Sequence, residues 1–235
     1  MIDLYFSATP NGLKIKLFLE EAELAYRIVP VRLSRGEQHR PDYLAISPNG
    51  KIPAIVDNKP YGGGEPIAIF ESGAILLYLA EKTGLFLPRD LRGRTEVLQW
   101  LFWQVGGLGP MAGQIGHFNV FAPEKVPYAI DRYTRELRRL YGVLDRRLAD
   151  REYIARDFSI ADIASYPWIV PHAPHGQNLA EFPHLSRWFA MMAERPGVRA
   201  TYDGVECVYD SAKQPLSEEE RGILFGKAAA ATVAA

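Results

Sequence analysis

Between residues 2 and 31 the hydrophobic period changes twice, and this limits the fold more than any other feature of the chain. Ile2, Leu4 and Phe6 alternate with Asp3 and Tyr5, which is the period of a strand. Thr9-Pro10-Asn11-Gly12 is a turn cluster. From about residue 11 to 24, Leu13, Lys16, Leu17 and Glu20 fall on neighbouring helical faces, with Ile15, Phe18, Leu19 and Ala22 adding apolar bulk. Residues 26–31 return to a strand rich in β-branched side chains. Strand, helix and strand at this spacing make a βαβ unit, with a right-handed crossover and two parallel strands.

The next segment changes style. Residues 34–40 are polar, and 52–56 form a short apolar run with Pro53 at its start. A Gly62-Gly63-Gly64 turn leads to a second run at 67–70, so the two runs are expected to pair as a β-hairpin. Glu71-Ser72-Gly73 then opens an apolar helix that ends near Thr83-Gly84. Residues 1–83 thus read βαβ followed by ββα.

Residues 84–94, with Pro88 and mixed charges, read as a linker. After it no strand pattern remains. Helices are predicted at 95–105, at 127–150, from Ser159-Ile160-Ala161-Asp162 toward Trp168, and at 182–194, closed by Arg195-Pro196-Gly197. The last 35 residues are weakly patterned, and their Ala-rich end at 228–235 reads as a frayed helix or tail. The predicted class is an α/β domain at 1–83, a linker at 84–94 and an all-helical domain at 95–235.

Composition narrows the function. Of 235 residues, 48% are hydrophobic and 23% charged, the balance of a globular chain able to bury a core. A net charge of −1 gives no overall attraction to nucleic acid or anionic membrane. The one cysteine, Cys207, excludes an internal disulfide framework and a cysteine-cluster metal site. Neither a basic-flanked apolar N-terminus nor a run long enough to span a bilayer is present, so the expected location is the cytoplasm.

Three motifs in order carry a family resemblance. They are Ser47-Pro48-Asn49-Gly50-Lys51-Ile52-Pro53-Ala54-Ile55, Phe70-Glu71-Ser72-Gly73-Ala74-Ile75-Leu76-Leu77-Tyr78-Leu79, and Ser159-Ile160-Ala161-Asp162. Over about residues 1–200 the chain resembles a glutathione transferase. The first motif is similar to the family's loop ending in a cis proline, the second to its γ-glutamyl site, the third to its C-domain capping box. Thr9-Pro10-Asn11-Gly12 and the 98–104 segment resemble the bacterial nu-class branch, which is associated with glutathione-dependent disulfide reduction. The resemblance implies a thioredoxin-like N-terminal domain, bound glutathione and a homodimer.

The residues can be read chemically beside that resemblance. Glu71-Ser72 starts a helix, and the free N–H groups of its first turn with the Ser72 hydroxyl suit the γ-glutamyl carboxylate, while Glu71 faces the ammonium. The alternative is a plain helix start and a surface acid. By resemblance, Ile52 before a cis Pro53 pairs its backbone with the cysteinyl segment, and Lys51 and Gln38 serve the glycyl end. Lys51 reads equally as a solvated lysine. Arg132 matches a family arginine that reaches the ligand in its own or the partner subunit's site, or else belongs to a charged helix face with Arg135, Arg138 and Arg139.

The thiol end decides the chemistry. A redox thioredoxin-like fold places C-x-x-C at the first βα turn, whereas this chain has Ser7-Ala8-Thr9-Pro10-Asn11. The sulfur must therefore arrive with the ligand. Thr9 and Asn11 are the expected donors to a glutathione thiolate; Ser7 is the rival hydroxyl, and Asn11 reads also as a helix N-cap. The expected reaction is attack of bound thiolate on a disulfide, with a second glutathione resolving the mixed disulfide. Conjugation of electrophiles and non-catalytic glutathione binding are the other readings. Met111, Gln114, Phe118 and Trp168 are candidates for a second-substrate pocket between the domains, or for core. His172 and His175 have ligand-like spacing, but Pro174 interrupts the helix that would present both, so no metal is expected.

Overall fold

The computed structural model describes residues 1–205 and 216–226. Cys207 and the Ala-rich end at 228–235 lie outside the described residues.

The N-terminal unit is a four-stranded sheet flanked by helices. Strand β1 (Ile2–Phe6) leads into α1 (Pro10–Glu21) and β2 (Tyr26–Pro30), and β1 and β2 pair in parallel as the βαβ pattern requires. Two 3-10 turns at 33–39 and the short α2 (Pro41–Leu44) connect to β3 (Ala54–Asp57) and β4 (Ile67–Phe70), an antiparallel pair. β3 also runs antiparallel to β1, giving the order β2-β1-β3-β4. Helix α3 (Ser72–Thr83) closes the unit, ended by Gly84 in the left-handed conformation.

The rest of the described chain is helical. A rod begins with α4 (Leu91–Trp103), passes through a π-helical turn at 104–108 into α5 (Gly109–Gly116), and ends in a second π-turn at 117–121. Then follow α6 (Pro127–Arg147), α7 (Ile160–Ile169), α8 (Pro183–Ala193), α9 (Pro196–Tyr202) and α10 (Glu218–Phe225). α4 starts four residues before the expected Thr95, because Asp90 accepts from Gly93 N at 2.8 Å and caps it inside the segment read as linker. The π-turn has a local cause. Pro110 lacks an N–H for the ordinary bond four residues back, and Gly109 N–H reaches instead to Gln104 O. A 3.6-residue period does not announce such a turn.

α1 is buried from Gly12 to Leu19, sandwiched between the sheet and the helical domain, and it packs on α3, α7 and α9. One core cluster runs from Leu4 through Leu17 and Ile75 to Ile163 and Trp188, joining both domains. A smaller one, with Val31, Tyr43 and Ala54, covers the other sheet face. Polar ties cross the boundary. Lys16 Nζ donates to the carbonyls of Ala200 (3.1 Å) and Thr201 (2.8 Å), capping the end of α9. Arg195 makes a two-pronged ion pair with Glu21 at 2.6 and 3.0 Å. The capping box at Ser159–Asp162 forms as its sequence predicts.

Candidate functional site

The helix α1 begins at a tight corner. Thr9, not Asn11, is its N-cap: Thr9 Oγ1 accepts from Gly12 N at 3.3 Å, while Asn11 sits inside the first turn. The N-cap reading of Asn11 is thereby corrected. Gly12 is needed here, since a Cβ at that position would lie 2.3 Å from the Ser7 carbonyl oxygen. Asn11 is instead held from the other domain. Trp168 Nε1 donates to Asn11 Oδ1 at 3.0 Å. That bond consumes the acceptor end of the amide and leaves its N–H donors for the cleft that Asn11 lines. Trp168 is thus part of the support of this corner.

The cleft has a volume of about 230 Å³. It brings together Asn11, Lys51, Ile52, Pro53, Glu71 and Ser72 of the sequence-predicted residues. Ser47, Asn49 and Phe70 also line it, and the sequence reading did not single them out as site residues. The Ile52–Pro53 peptide bond is cis, as the resemblance implied. The residue before it is pinned, because the Lys51 carbonyl accepts from Tyr43 OH at 2.7 Å and from Ser47 Oγ at 2.9 Å. The Lys51 side chain itself is exposed.

The start of α3 also lines the cleft. Glu71 has φ 68° and ψ 115°, a left-handed backbone that an L side chain adopts at a cost of order 1–3 kcal/mol. No side chain caps this helix and no acid lies in its first turn, so its leading N–H groups are available to an anion. Ser72 is buried, and its Oγ accepts from Lys14 Nζ at 3.2 Å.

Lys14 is the residue sequence reasoning missed. It lies wholly inside the protein, and its ammonium also donates to Gln104 Oε1 at 2.7 Å. Burial pushes its pKa down to about 7, opposed by the negative charge of Glu71. A signal existed: a lysine inside the most apolar stretch of α1, a helix that must be covered on both sides, has to meet a polar partner.

Three predicted residues stand outside the wall of the cleft. Thr9 is at the same helix end, two positions before Asn11. Gln38 is buried beside the 47–51 turn, its backbone oxygen 3.3 Å from where a Gly50 Cβ would lie, and its Nε2 is 3.3 Å from His39 Nε2. Arg132 is on the exposed face of α6. Of the second-substrate candidates, Phe118 stacks on Tyr133 at 5.7 Å, beside His117. α10 crosses here: Phe225 meets His117 at 4.7 Å and Phe121 at 6.0 Å, and Ile223 comes 3.6 Å from a Cβ built on Gly36. α10 therefore bridges the 33–35 turn and the second π-turn.

Residues 4–81 match the glutathione S-transferase N-terminal domain and 108–196 its C-terminal domain. The chain belongs to the glutathione S-transferase family. It is 58% identical over 197 residues to the disulfide-bond oxidoreductase YfcG of Escherichia coli K12, covering 83% of this chain and 92% of that one. It is 41% identical over 212 residues to the disulfide-bond oxidoreductase YghU of the same organism, covering 84% and 73%. Among solved structures it is similar to a glutathione transferase of Pseudomonas putida with one glutathione disulfide bound per subunit. That likeness has a TM-score of 0.80 at 43% identity and covers 85% of this chain and 90% of the other. Among the described residues of this transferase, no helix is long and apolar enough to cross a membrane.

Proposed function

We propose that this transferase reduces disulfides with bound glutathione, using no sulfur of its own. The observation that carries the reading is the cleft, which an oriented amide, Asn11, and an uncapped helix start at Ser72 line together with Ile52–Pro53. Such a cleft suits a ligand with a carboxylate at one end and a thiolate at the other. The fit extends to the remaining groups: Glu71 beside the ammonium, the Ile52 backbone along the cysteinyl segment, Lys51 and Gln38 toward the glycyl carboxylate. Arg132, exposed on α6, serves this subunit's site or its partner's. The relatives named disulfide-bond oxidoreductases support the same reaction.

Glutathione acts here as a substrate and is used up. Thr9 and Asn11 donate toward its sulfur, so the thiolate is favoured over the thiol and the proton leaves to solvent. The thiolate attacks one sulfur of RSSR, forming a new S–S bond to glutathione and releasing RS⁻, which takes a proton. A second glutathione thiolate attacks the mixed disulfide at the glutathione sulfur, releasing the second RSH and oxidised glutathione. Two glutathione molecules supply the two electrons. The same thiolate can attack a carbon electrophile, and its orientation in the cleft serves both reactions.

The reading further includes a homodimer in the cytoplasm, acting on small disulfides and not on nucleic acid, with residues 1–83 as the glutathione-binding domain, 84–94 as linker and 95–235 as the helical domain. The test is turnover of a small disulfide with glutathione, in the wild type and in Cys207→Ser. Equal turnover in both is expected. Turnover of an aryl halide without disulfide reduction assigns the protein to conjugation, and glutathione binding without either reaction assigns it to a binding role.

A further inference from the structure

We propose that Lys14 is a positioning residue for the γ-glutamyl end of the glutathione site: it fixes the direction of the Ser72 hydroxyl and supplies the counter-charge to the carboxylate bound there. This inference rests on the reading of the cleft as a glutathione site. The geometry has three parts. First, Lys14 Nζ donates to Ser72 Oγ at 3.2 Å, and an ammonium has no acceptor to offer in return. The Ser72 hydrogen must point away from Lys14, and Ser72 lines the cleft, so the hydroxyl becomes a donor toward an incoming oxygen. Second, the ammonium is anchored from behind by Gln104 Oε1 at 2.7 Å, at the first residue of the π-turn. Third, that anchor meets the other support of the cleft. A Cβ on Gly109 would lie 2.8 Å from Gln104 Nε2 and 3.3 Å from Trp168 Nε1, the same nitrogen that holds Asn11. The thiol end and the γ-glutamyl end are therefore both held by helical-domain side chains that converge on one glycine.

Lys16, two residues on, shows what a purely structural lysine does in this helix. Its partners are two main-chain carbonyls at the end of α9, remote from the cleft. Lys14 has only side-chain partners, and one of them belongs to the cleft wall. Among the described residues, Glu71 is the charged group that acts on Lys14, while Ser72 and Gln104 are neutral. When glutathione seats, its ammonium engages Glu71 and its carboxylate takes over as the counter-charge, linked to Lys14 through one shared hydroxyl. An ammonium poised near neutrality by burial is then driven to its charged form by the ligand. Binding of the γ-glutamyl carboxylate thus takes up a proton and weakens as the pH rises above about 7.

The probe is S-methylglutathione, which keeps the γ-glutamyl end and lacks a titrating thiol. Calorimetry at pH 7.5 in buffers of different ionisation enthalpy gives the protons taken up. About half a proton per site is expected in the wild type, a Lys14 Cε resonance that titrates near 7 without ligand, and an upward move of at least about one unit with it. Lys14→Met is expected to bind about tenfold more weakly at pH 6 and to take up no proton. Binding by the wild type without proton uptake, or the same uptake in Lys14→Met, overturns the role of Lys14 and leaves the disulfide chemistry standing. Failure of both proteins to bind S-methylglutathione overturns the glutathione site and this inference with it. Because the Cε titration is read in the wild type, the inference is decided even if Lys14→Met does not fold.

Discussion

Trp168 Nε1 donates to Asn11 Oδ1 at 3.0 Å, joining α7 of one domain to the first turn of α1 in the other. An amide can present either its oxygen or its N–H groups, and only the second suits a thiolate. The indole decides between them. Trp168→Phe keeps an aromatic ring but removes the donor, so the amide is free to turn. The expected result is a roughly tenfold fall in kcat for a small disulfide with the KM for glutathione little changed, since the γ-glutamyl end is untouched. Steady-state kinetics with both substrates varied checks it; a loss confined to KM would contradict the assignment.

Asn11 itself is expected to act on the ionisation of the bound thiol. Removing one donor in Asn11→Ala raises the thiol pKa of bound glutathione by about one unit, equivalent to about 1.4 kcal/mol. Asn11→Asp raises it further, because a carboxylate repels the thiolate. The acid limb of the pH–rate profile should move up in that order, and the ultraviolet thiolate absorbance of the complex should fall in the same order at neutral pH.

Thr9 has two tasks that can be separated. Its oxygen caps α1 through Gly12 N, and its hydrogen remains available to the sulfur. Thr9→Val loses both and is expected to cost about 1 kcal/mol of stability together with a drop in turnover. Thr9→Ser retains both. Urea denaturation measures the cap and disulfide turnover measures the donor; a valine variant as active as the wild type would assign Thr9 to capping alone.

What the sequence made legible follows from local physics. The period change at 2–31, the hairpin runs and the Ser159–Asp162 box each depend on neighbours in the chain, and the structure has them in place. The cleft was legible wherever a residue sits at a helix start or beside a proline, as Asn11, Ile52 and Ser72 do. Lys14, Gln104 and Trp168 were not assigned their roles, because each acts across the domain boundary on a partner far away in sequence, and helical periodicity sorts residues by face without saying what the face meets. Reading Asn11 as N-cap failed for a related reason. Thr9 and Asn11 are both good caps, and Pro10, favoured at the first helical position, selects Thr9.

Asp162 gives a prediction on stability against pH. Its carboxylate accepts from Ile154 N at 3.0 Å, Ser159 N and Oγ at 3.1 Å and Trp188 Nε1 at 2.9 Å, yet burial outweighs these donors and pushes its pKa up to about 6. In the unfolded chain the group titrates near 4. Between those values the folded state holds the proton more often, so the contribution of Asp162 is fully present below about pH 4 and is lost as the pH rises toward 6, by about 3 kcal/mol at most. Asp3 and Asp57, held below the usual carboxylate range by Arg27 and Lys82, act with the opposite sign, so the difference between proteins is the quantity to read. Asp162→Asn keeps an oxygen for Ile154 N and Trp188 but leaves Ser159 N without its acceptor, at a cost of about 1–3 kcal/mol. Urea denaturation from pH 4 to 7 should show the variant less stable at pH 4, with the gap narrowing as the pH rises from 4 to 6 and closing or reversing by pH 7. A gap that widens over that window would mean that the four donors outweigh burial and that Asp162 is ionised at lower pH than its surroundings imply.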